Sequence, residues 1–135
     1  MTFTPPLVTM TLAFGLAAGC QSAIADSFNF KTPSDNIYCA YDDYNGTPEV
    51  RCDIRSYTST MGKMPADCDL EYGKAFEMRS KGSAIRLCYG DTVMDKALPP
   101  LAYGEVWQRG GFTCTSEQTG VTCFNTDRRG FSLSR

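Results

Sequence analysis

Residues 37–54, IYCAYDDYNGTPEVRCDI, constrain the fold of this chain more than any other segment. At their centre is Asn45-Gly46, which suits a type I′ hairpin turn because both turn positions need positive φ. A two-residue loop there places Cys39 opposite Cys52 in a non-hydrogen-bonded pair, where the short Cα spacing allows a disulfide. The same register puts Pro48 in a non-hydrogen-bonded pair, where its missing N–H costs nothing. The segment therefore predicts a β-hairpin closed by a Cys39–Cys52 bridge.

This register also sorts the side chains of the hairpin onto two faces of different polarity. One face is apolar and the other is mostly charged, as a half-buried sheet requires. The apolar face holds Ile37, Cys39, Tyr41, Val50, Cys52 and Ile54, and the second face holds Tyr38, Ala40, Asp42, Glu49, Arg51 and Asp53.

The remaining cysteines extend the same principle to the rest of the chain. Cys114 and Cys123 flank SEQTG, where Gly120 is available for a turn, so they predict a second bridged hairpin with a loop of two or four residues. Cys68 and Cys88 are then left to pair with each other across a longer loop.

The segment AFEMRSKGSAIRLCYG reads as a further hairpin that turns at Lys81-Gly82. In this interpretation Phe76 and Met78 lie near Ile85 and Leu87. A helix over residues 70–79 is the competing prediction, which Gly73 weakens.

Turn signals at RGG and DRRG separate further short segments near the end of the chain. Together with the hairpins they give about seven or eight short strands at regular spacing. The predicted fold is all-β: a small, disulfide-stapled antiparallel sandwich or partly open barrel.

The first residues of the chain are typical of an export signal. They carry no charge, and an apolar run over residues 7–18 is too short to span a membrane, although no Lys or Arg precedes it. AIA ending at Ala25 fits a cleavage site, which predicts a signal peptide over residues 1–25 and a single β domain over residues 26–135. Alternatively, LAAGC resembles a lipobox, in which case residues 1–19 are removed and Cys20 is lipidated. Under both readings six cysteines remain to pair.

Composition excludes several functional classes. The chain has no histidine, which excludes Ser-His-Asp and Cys-His catalysis, and oxidised cysteines leave no thiolate nucleophile or zinc ligand. We expect no metal and no cofactor. With 15 acidic and 13 basic residues intermixed, there is no basic stripe for nucleic acid, and membrane contact is expected only through a lipid at Cys20.

Carboxylates are the remaining candidates for catalysis. DCDLE places Asp67, Asp69 and Glu71 at alternate positions, so an extended chain would present them on one face. They would suit a Ca²⁺ site or the acid–base pair of a glycan hydrolase, whereas a solvated strand face is the ordinary reading of such alternation.

Binding is the alternative to catalysis, and the sequence offers two features for it. Tyrosines are frequent and would give a rigid β scaffold large contact areas, although Tyr41 and Trp107 are expected to fill the core. Arg128 and Arg129, with Arg135, would form a small cationic tip for an anionic partner, although an ordinary solvated turn is the favoured interpretation of these residues.

Several segments resemble a family of small exported bacterial proteins classed as a domain of unknown function. They are FKTPSDNIYCAY, VRCDI, DCDLEYG, CYGDTV and GGFTCTSEQTGVTCFNTDRRGFSLSR. The first resembles the family's Pro-Ser-Gly-Asn-Ile-x-Cys opening, and the last resembles its ending, Gly-x-x-Cys-x-Asn followed by Gly-Phe-x-Leu-Ser-Arg. The sequence departs from this pattern where Asp35 replaces a glycine and where Arg128-Arg129 replace Gly-His. The resemblance implies bacterial export and a shared fold, and no activity.

These observations predict a non-catalytic exported domain, periplasmic or secreted, that binds a protein or glycan of the bacterial cell envelope. Two alternatives stay open. One is a carboxylate-based glycan hydrolase using Asp67, Asp69 and Glu71, and the other is a purely structural envelope lipoprotein.

Overall fold

The structure, a computed structural model, describes Gly15 and residues 24–25, 27–58 and 64–135. The described chain forms ten β-strands in two five-stranded sheets. The strands are β1 (Ile24–Ala25), β2 (Phe30–Lys31), β3 (Ile37–Tyr44), β4 (Thr47–Ile54), β5 (Glu71–Arg79), β6 (Ile85–Tyr89), β7 (Val106–Arg109), β8 (Phe112–Glu117), β9 (Gly120–Phe124) and β10 (Gly130–Ser134).

Each sheet is built mainly from consecutive antiparallel neighbours. The hairpin sheet has the order β2-β3-β4-β5-β6, and the C-terminal sheet has the order β1-β7-β8-β9-β10, with only β1 and β7 parallel. The predicted all-β sandwich is confirmed. The structure has ten strands where seven or eight were expected. The difference arises because β1 and β2 have two residues each, which is too short to give a periodic pattern in the sequence.

The β3–β4 hairpin has the predicted register. Cys39 pairs with Cys52 and Asp43 with Pro48, and the turn residues Asn45 and Gly46 have φ values of 53° and 77°. In the β8–β9 hairpin Glu117 pairs with Gly120, so its loop has two residues rather than four. The structure contains the disulfides Cys39–Cys52, Cys68–Cys88 and Cys114–Cys123, the same three pairs as expected.

The core lies between the inner faces of the two sheets. Two disulfides meet at its centre, since the sulfurs of Cys39, Cys52 and Cys123 lie within 4.8 Å of one another. Trp107 is 1% exposed, and its Nε1 donates a hydrogen bond of 2.7 Å to the Ser27 carbonyl. The other core residues include Phe30, Ile37, Val50, Ile54, Met78, Leu101, Phe112, Val121 and Leu133.

The segment before Cys88 is a hairpin, so the competing helix over residues 70–79 is wrong. Gly73, at φ 102°, lies where the β5–β6 register shifts, a bulge that a helix could not contain. The expected side-chain faces are also wrong in part. Ile85 pairs with Glu77 on the outer face and is largely exposed, whereas Phe76, which packs against the core, pairs with Arg86.

Part of the charged outer face of the hairpin sheet is buried rather than solvated. Asp53 is 1% exposed, and its carboxylate accepts hydrogen bonds from Arg51, from the Thr92 hydroxyl and from the Val93 amide. Arg51 also pairs with Asp91. The chain that follows β6 therefore crosses this face and ties itself to β4 through a fully paired carboxylate, which is how a buried charge is tolerated.

The predicted leader lies mostly outside the described residues, and so does Cys20. Ile24–Ala25, the last two residues before the predicted cleavage site, pair with Val106 and Trp107 of β7. Among the described residues, no helix is long and apolar enough to cross a membrane.

Candidate functional site

The loop between β9 and β10 is shaped by one buried side chain, that of Asn125. Its Oδ1 accepts hydrogen bonds from the amides of Asp127 and Arg129, at 3.0 and 3.1 Å. Its Nδ2 donates to the carbonyls of Arg79 and Gly82, at 2.9 and 2.8 Å. Asn125 therefore fixes its own loop and fastens it to the β5–β6 turn of the opposite sheet.

Further hydrogen bonds join the same two loops. The Thr126 amide and hydroxyl both donate to the Ser80 carbonyl, and the Gly82 amide donates to the Asp127 carboxylate at 2.8 Å. Because so many bonds cross between the sheets, this end of the sandwich is a single hydrogen-bonded unit.

Arg128 projects from this unit with an unusual backbone conformation. Its φ of 57° lies in the left-handed region that few residues other than glycine and asparagine adopt readily. Its guanidinium is exposed and makes no hydrogen bond or ion pair with any residue that the structure describes. Arg129 instead donates to the Ser83 hydroxyl at 2.9 Å.

The prediction that three arginines form a cationic tip is wrong for one of them, Arg135. Arg128 and Arg129 lie in the loop before β10, whereas Arg135 follows Ser134 at the other end of that strand. Five strand residues at about 3.4 Å each separate the two ends. Arg135 is therefore not part of the site.

A shallow depression of about 560 Å³ lies beside Arg128 on the outer face of the C-terminal sheet. The ring of Phe124, 40% exposed, stands opposite Gly130, which has no side chain to cover it. Next to them the hydroxyls of Thr122 and Ser132 share a hydrogen bond of 2.9 Å. The lining consists of Thr122, Cys123, Phe124, Arg128, Gly130, Phe131 and Ser132.

The sheet face around this depression is polar and almost uncharged. Glu117 is the single charged residue among the outward positions of β7, β8, β9 and β10. These positions are Val106, Gln108, Thr113, Thr115, Glu117, Gly120, Thr122, Phe124, Gly130, Ser132 and Ser134. The outer face of the hairpin sheet differs sharply, since β4 and β5 place Glu49, Arg51, Glu77 and Arg79 on it.

Phe124, Thr122 and Ser132 were not singled out in the sequence, although a signal for them was present. The predicted pairing of Cys114 with Cys123 already turns Cys123 inward, so strand alternation turns Thr122 and Phe124 outward. Of the aromatic residues considered earlier, Trp107 is buried and Tyr41 packs against the core from a partly buried position, as expected.

The three carboxylates proposed for catalysis are not brought together in a cleft. Asp67, Asp69 and Glu71 are all exposed, and only Glu71 belongs to a strand. None of them lines the depression beside Arg128. Their arrangement is that of ordinary solvated side chains.

The structure instead brings a different pair of carboxyl groups into contact, those of Glu49 and Glu77. Burial, a hydrogen bond with Glu49 and the charge of Glu49 together raise the pKa of Glu77 to about 7. Carboxyl groups that share a hydrogen bond are closer than the roughly 5–5.5 Å of a retaining glycosidase, which must admit a sugar between them. The pair therefore binds a proton near neutral pH, but its geometry differs from that of a retaining glycosidase.

The three cysteine sulfurs that cluster in the core do not form a metal centre. Cys39 and Cys52 are bonded to each other, and Cys123 is bonded to Cys114. Oxidised sulfur does not offer the thiolate that zinc requires.

The fold and site define a small disulfide-bridged β-sandwich with one polar, largely uncharged sheet face and an arginine beside an exposed aromatic ring. Its three disulfides are typical of an oxidising, extracytoplasmic environment. Residues 7–135 match a family described as "Family of unknown function (DUF6636)", and the chain belongs to that family. Searches of the curated proteins and of the solved structures found no match.

Proposed function

We propose that this protein is a non-catalytic binding domain of the bacterial envelope, periplasmic or secreted, with the alternative of a lipid anchor at Cys20. Its ligand is a protein or glycan of the envelope. The site is the depression beside Phe124 and Arg128. Binding, rather than catalysis or a purely structural role, is its activity.

The observation that carries this proposal is the exposed Phe124 ring beside the uncommitted Arg128 guanidinium. Side by side at one depression, the ring offers an apolar stacking face and the guanidinium offers a charged pair of parallel hydrogen-bond donors, two groups that a ligand can contact together. Three disulfides and the Asn125 hydrogen bonds hold the surrounding backbone in place, which reduces the entropy lost on binding.

Co-sedimentation with envelope fractions tests the proposal. The full chain, exported and oxidised, is mixed separately with purified cell walls and with membrane vesicles, and the bound fraction is measured after centrifugation. We expect saturable binding to one fraction, and at least a tenfold weaker affinity for the double variant Phe124→Ala/Arg128→Gly. Arg135→Gly, which removes the same charge at the far end of β10, is the matched control and should bind normally.

Two outcomes would contradict the proposal. Equal binding by the double variant and the wild type would show that the depression is not the site. Loss of a glycan-cleaving activity on replacing Asp67, Asp69 and Glu71 together by the corresponding amides would favour the hydrolase instead.

A further inference from the structure

We propose that the depression binds a carboxylate-bearing glycan, with the Arg128 guanidinium paired to a sugar carboxylate and the Phe124 ring stacked on a pyranose. This inference rests on the proposed function, because it assigns a chemical class of ligand to the same surface. It specifies a glycan rather than a protein as the ligand, and an acidic glycan rather than a neutral one.

Charge is the first argument. The Arg128 guanidinium has no acidic partner among the described residues, and the carboxylate of its neighbour Asp127 already accepts the Gly82 amide. A planar guanidinium binds a carboxylate through two parallel hydrogen bonds, which gives direction as well as attraction. An acidic group on the ligand is therefore the natural complement of this side of the depression.

The second argument is the polarity of the rest of the surface. Thr122 and Ser132 present hydroxyls, and the adjoining outward positions of β7 and β8 are mainly Gln and Thr. Hydroxyl groups both donate and accept hydrogen bonds, which suits the many hydroxyls of a sugar. The row from Ser132 through Thr122 to Thr115 advances by one strand spacing of about 4.8 Å per residue, comparable to the length of one pyranose unit.

The third argument is the small amount of apolar surface. Phe124 is the only aromatic residue among the outward positions of β7, β8, β9 and β10. The cores of protein–protein interfaces are enriched in aromatic residues and methionine, of which the outward positions of these strands hold a single phenylalanine. One accessible ring is sufficient to stack on the apolar face of a single sugar, so the surface fits a glycan better than a protein.

Preorganisation supports the assignment. Arg128 follows Asn125 by three residues, and the Arg128 amide donates to the Asn125 carbonyl at 3.0 Å. The loop that carries the guanidinium is thus fixed before a ligand arrives, at the edge of the depression that Phe124 borders.

Binding of defined oligosaccharides to the full oxidised chain tests the inference. The acidic probes are an oligogalacturonate, a muramic-acid-containing wall fragment and a sialylated oligosaccharide, and calorimetry gives the affinity of each. The methyl ester of the oligogalacturonate is the matched neutral probe, because it keeps the sugar rings and removes the charge. We expect at least one acidic probe to bind, with affinity falling as salt is added.

Four variants locate the contact. Arg128→Gly, which suits the φ of 57°, and Phe124→Ala should each weaken binding of the acidic probe at least tenfold. Phe124→Trp keeps a stacking ring and should bind within about threefold of the wild type, and Arg135→Gly should be unchanged. Near-ultraviolet circular dichroism verifies that each variant is folded.

Each failure has a distinct meaning. Equal affinity for the acid and its methyl ester would overturn the carboxylate assignment while leaving glycan binding intact. Failure of all three acidic probes to bind would overturn the inference, and the co-sedimentation experiment above would then decide separately whether the surface binds another envelope component.

Discussion

Ser116 places a hydroxyl group in the core of the C-terminal sheet. Its side chain is fully buried, and Oγ has no hydrogen-bond partner among the described residues. The main chain of Ser116 is well bonded, because its amide donates to the Glu105 carbonyl and its carbonyl accepts from the Gly104 amide. The free-energy cost of an unpaired polar group therefore concerns only the side-chain hydroxyl.

We predict that Ser116→Ala stabilises the protein by about 1 kcal/mol, because an unpaired buried hydroxyl costs roughly 1–3 kcal/mol. Urea denaturation of the two proteins measures the difference. Thr115→Ala, on the outer face of the same strand, should change the free energy of unfolding by no more than about 0.5 kcal/mol. A destabilised Ser116→Ala would show that the hydroxyl has a partner in solution.

Glu77 makes stability depend on pH. Its pKa is raised by burial and by Glu49 to about 7, from an ordinary value of 4.5, so the folded state binds more protons than the unfolded state between these values. The corresponding stabilisation is complete below pH 4.5 and is lost as the pH rises through 7. The fold is therefore predicted to be less stable at pH 8 than at pH 5 on account of this residue.

Glu77→Gln should remove this dependence, because the amide keeps the shape without the charge. We expect the variant to be more stable than the wild type at pH 8 and to lose that advantage at pH 5, as measured by urea denaturation at both values. Glu49→Gln leaves Glu77 partly buried, so it should reduce the pH dependence without abolishing it. The same stability difference at both pH values would contradict the assignment to Glu77.

At the scale of elements, Asn125 joins a loop of one sheet to a turn of the other. We predict that Asn125→Ala destabilises the protein by about 3 kcal/mol, because it removes the four hydrogen bonds of a buried side chain, each worth roughly 0.5–1.5 kcal/mol. Hydrogen exchange at the amides of Asp127 and Arg129 should accelerate together with this loss.

Asn125→Asp separates the two roles of the side chain. A carboxylate still accepts from the Asp127 and Arg129 amides, but it cannot donate to the carbonyls of Arg79 and Gly82. We therefore expect the amides of the β9–β10 loop to stay protected while those of the β5–β6 turn exchange faster. Unchanged exchange in the β5–β6 turn would contradict the role of the Asn125 amide nitrogen in holding that turn.

The elements that sequence reasoning predicted well are those whose pairing is decided locally. In the β3–β4 hairpin, Asn45-Gly46 sets the turn and the turn sets every pair, so Cys39 and Cys52 meet without reference to the rest of the chain. Non-local features were less accessible. The contact of Glu49 with Glu77 depends on the pairing of β4 with β5, which a long connection joins, and no turn specifies that register.

The candidate site was predictable only in part. Arg128 was identified from its charge, but its neighbour Phe124 depends on the alternation of β9, and their common depression depends on how the Asn125 loop folds back. Asp35 and Arg128, the two positions where the resemblance described above implies a glycine, both have positive φ, at 55° and 57°. The backbone thus gives a physical reason for glycine there.

At the scale of the whole molecule, the three disulfides make unequal contributions. The Cys68–Cys88 bridge lies outside the main core cluster and spans 20 residues. We predict that Cys68→Ala/Cys88→Ala costs about 3 kcal/mol through loop closure and leaves the fold intact, as judged by urea denaturation and by Trp107 fluorescence. Cys114→Ala/Cys123→Ala should cost more, because these side chains are fully buried and their removal also leaves a cavity. An equal cost for the two pairs would contradict a packing role for the central bridges.

The stacking of two disulfides at the centre of the sandwich has a chemical consequence for anyone who alters or refolds the protein. A thiol freed at Cys52 by replacing Cys39 alone lies within 4.8 Å of the Cys123 sulfur, where thiol–disulfide exchange can form a Cys52–Cys123 bond and release Cys114. Such an isomer would join the two sheets covalently instead of closing one hairpin in each. Single-cysteine variants are therefore expected to give mixtures of bridge isomers, and the order in which these four cysteines oxidise affects which bridges form.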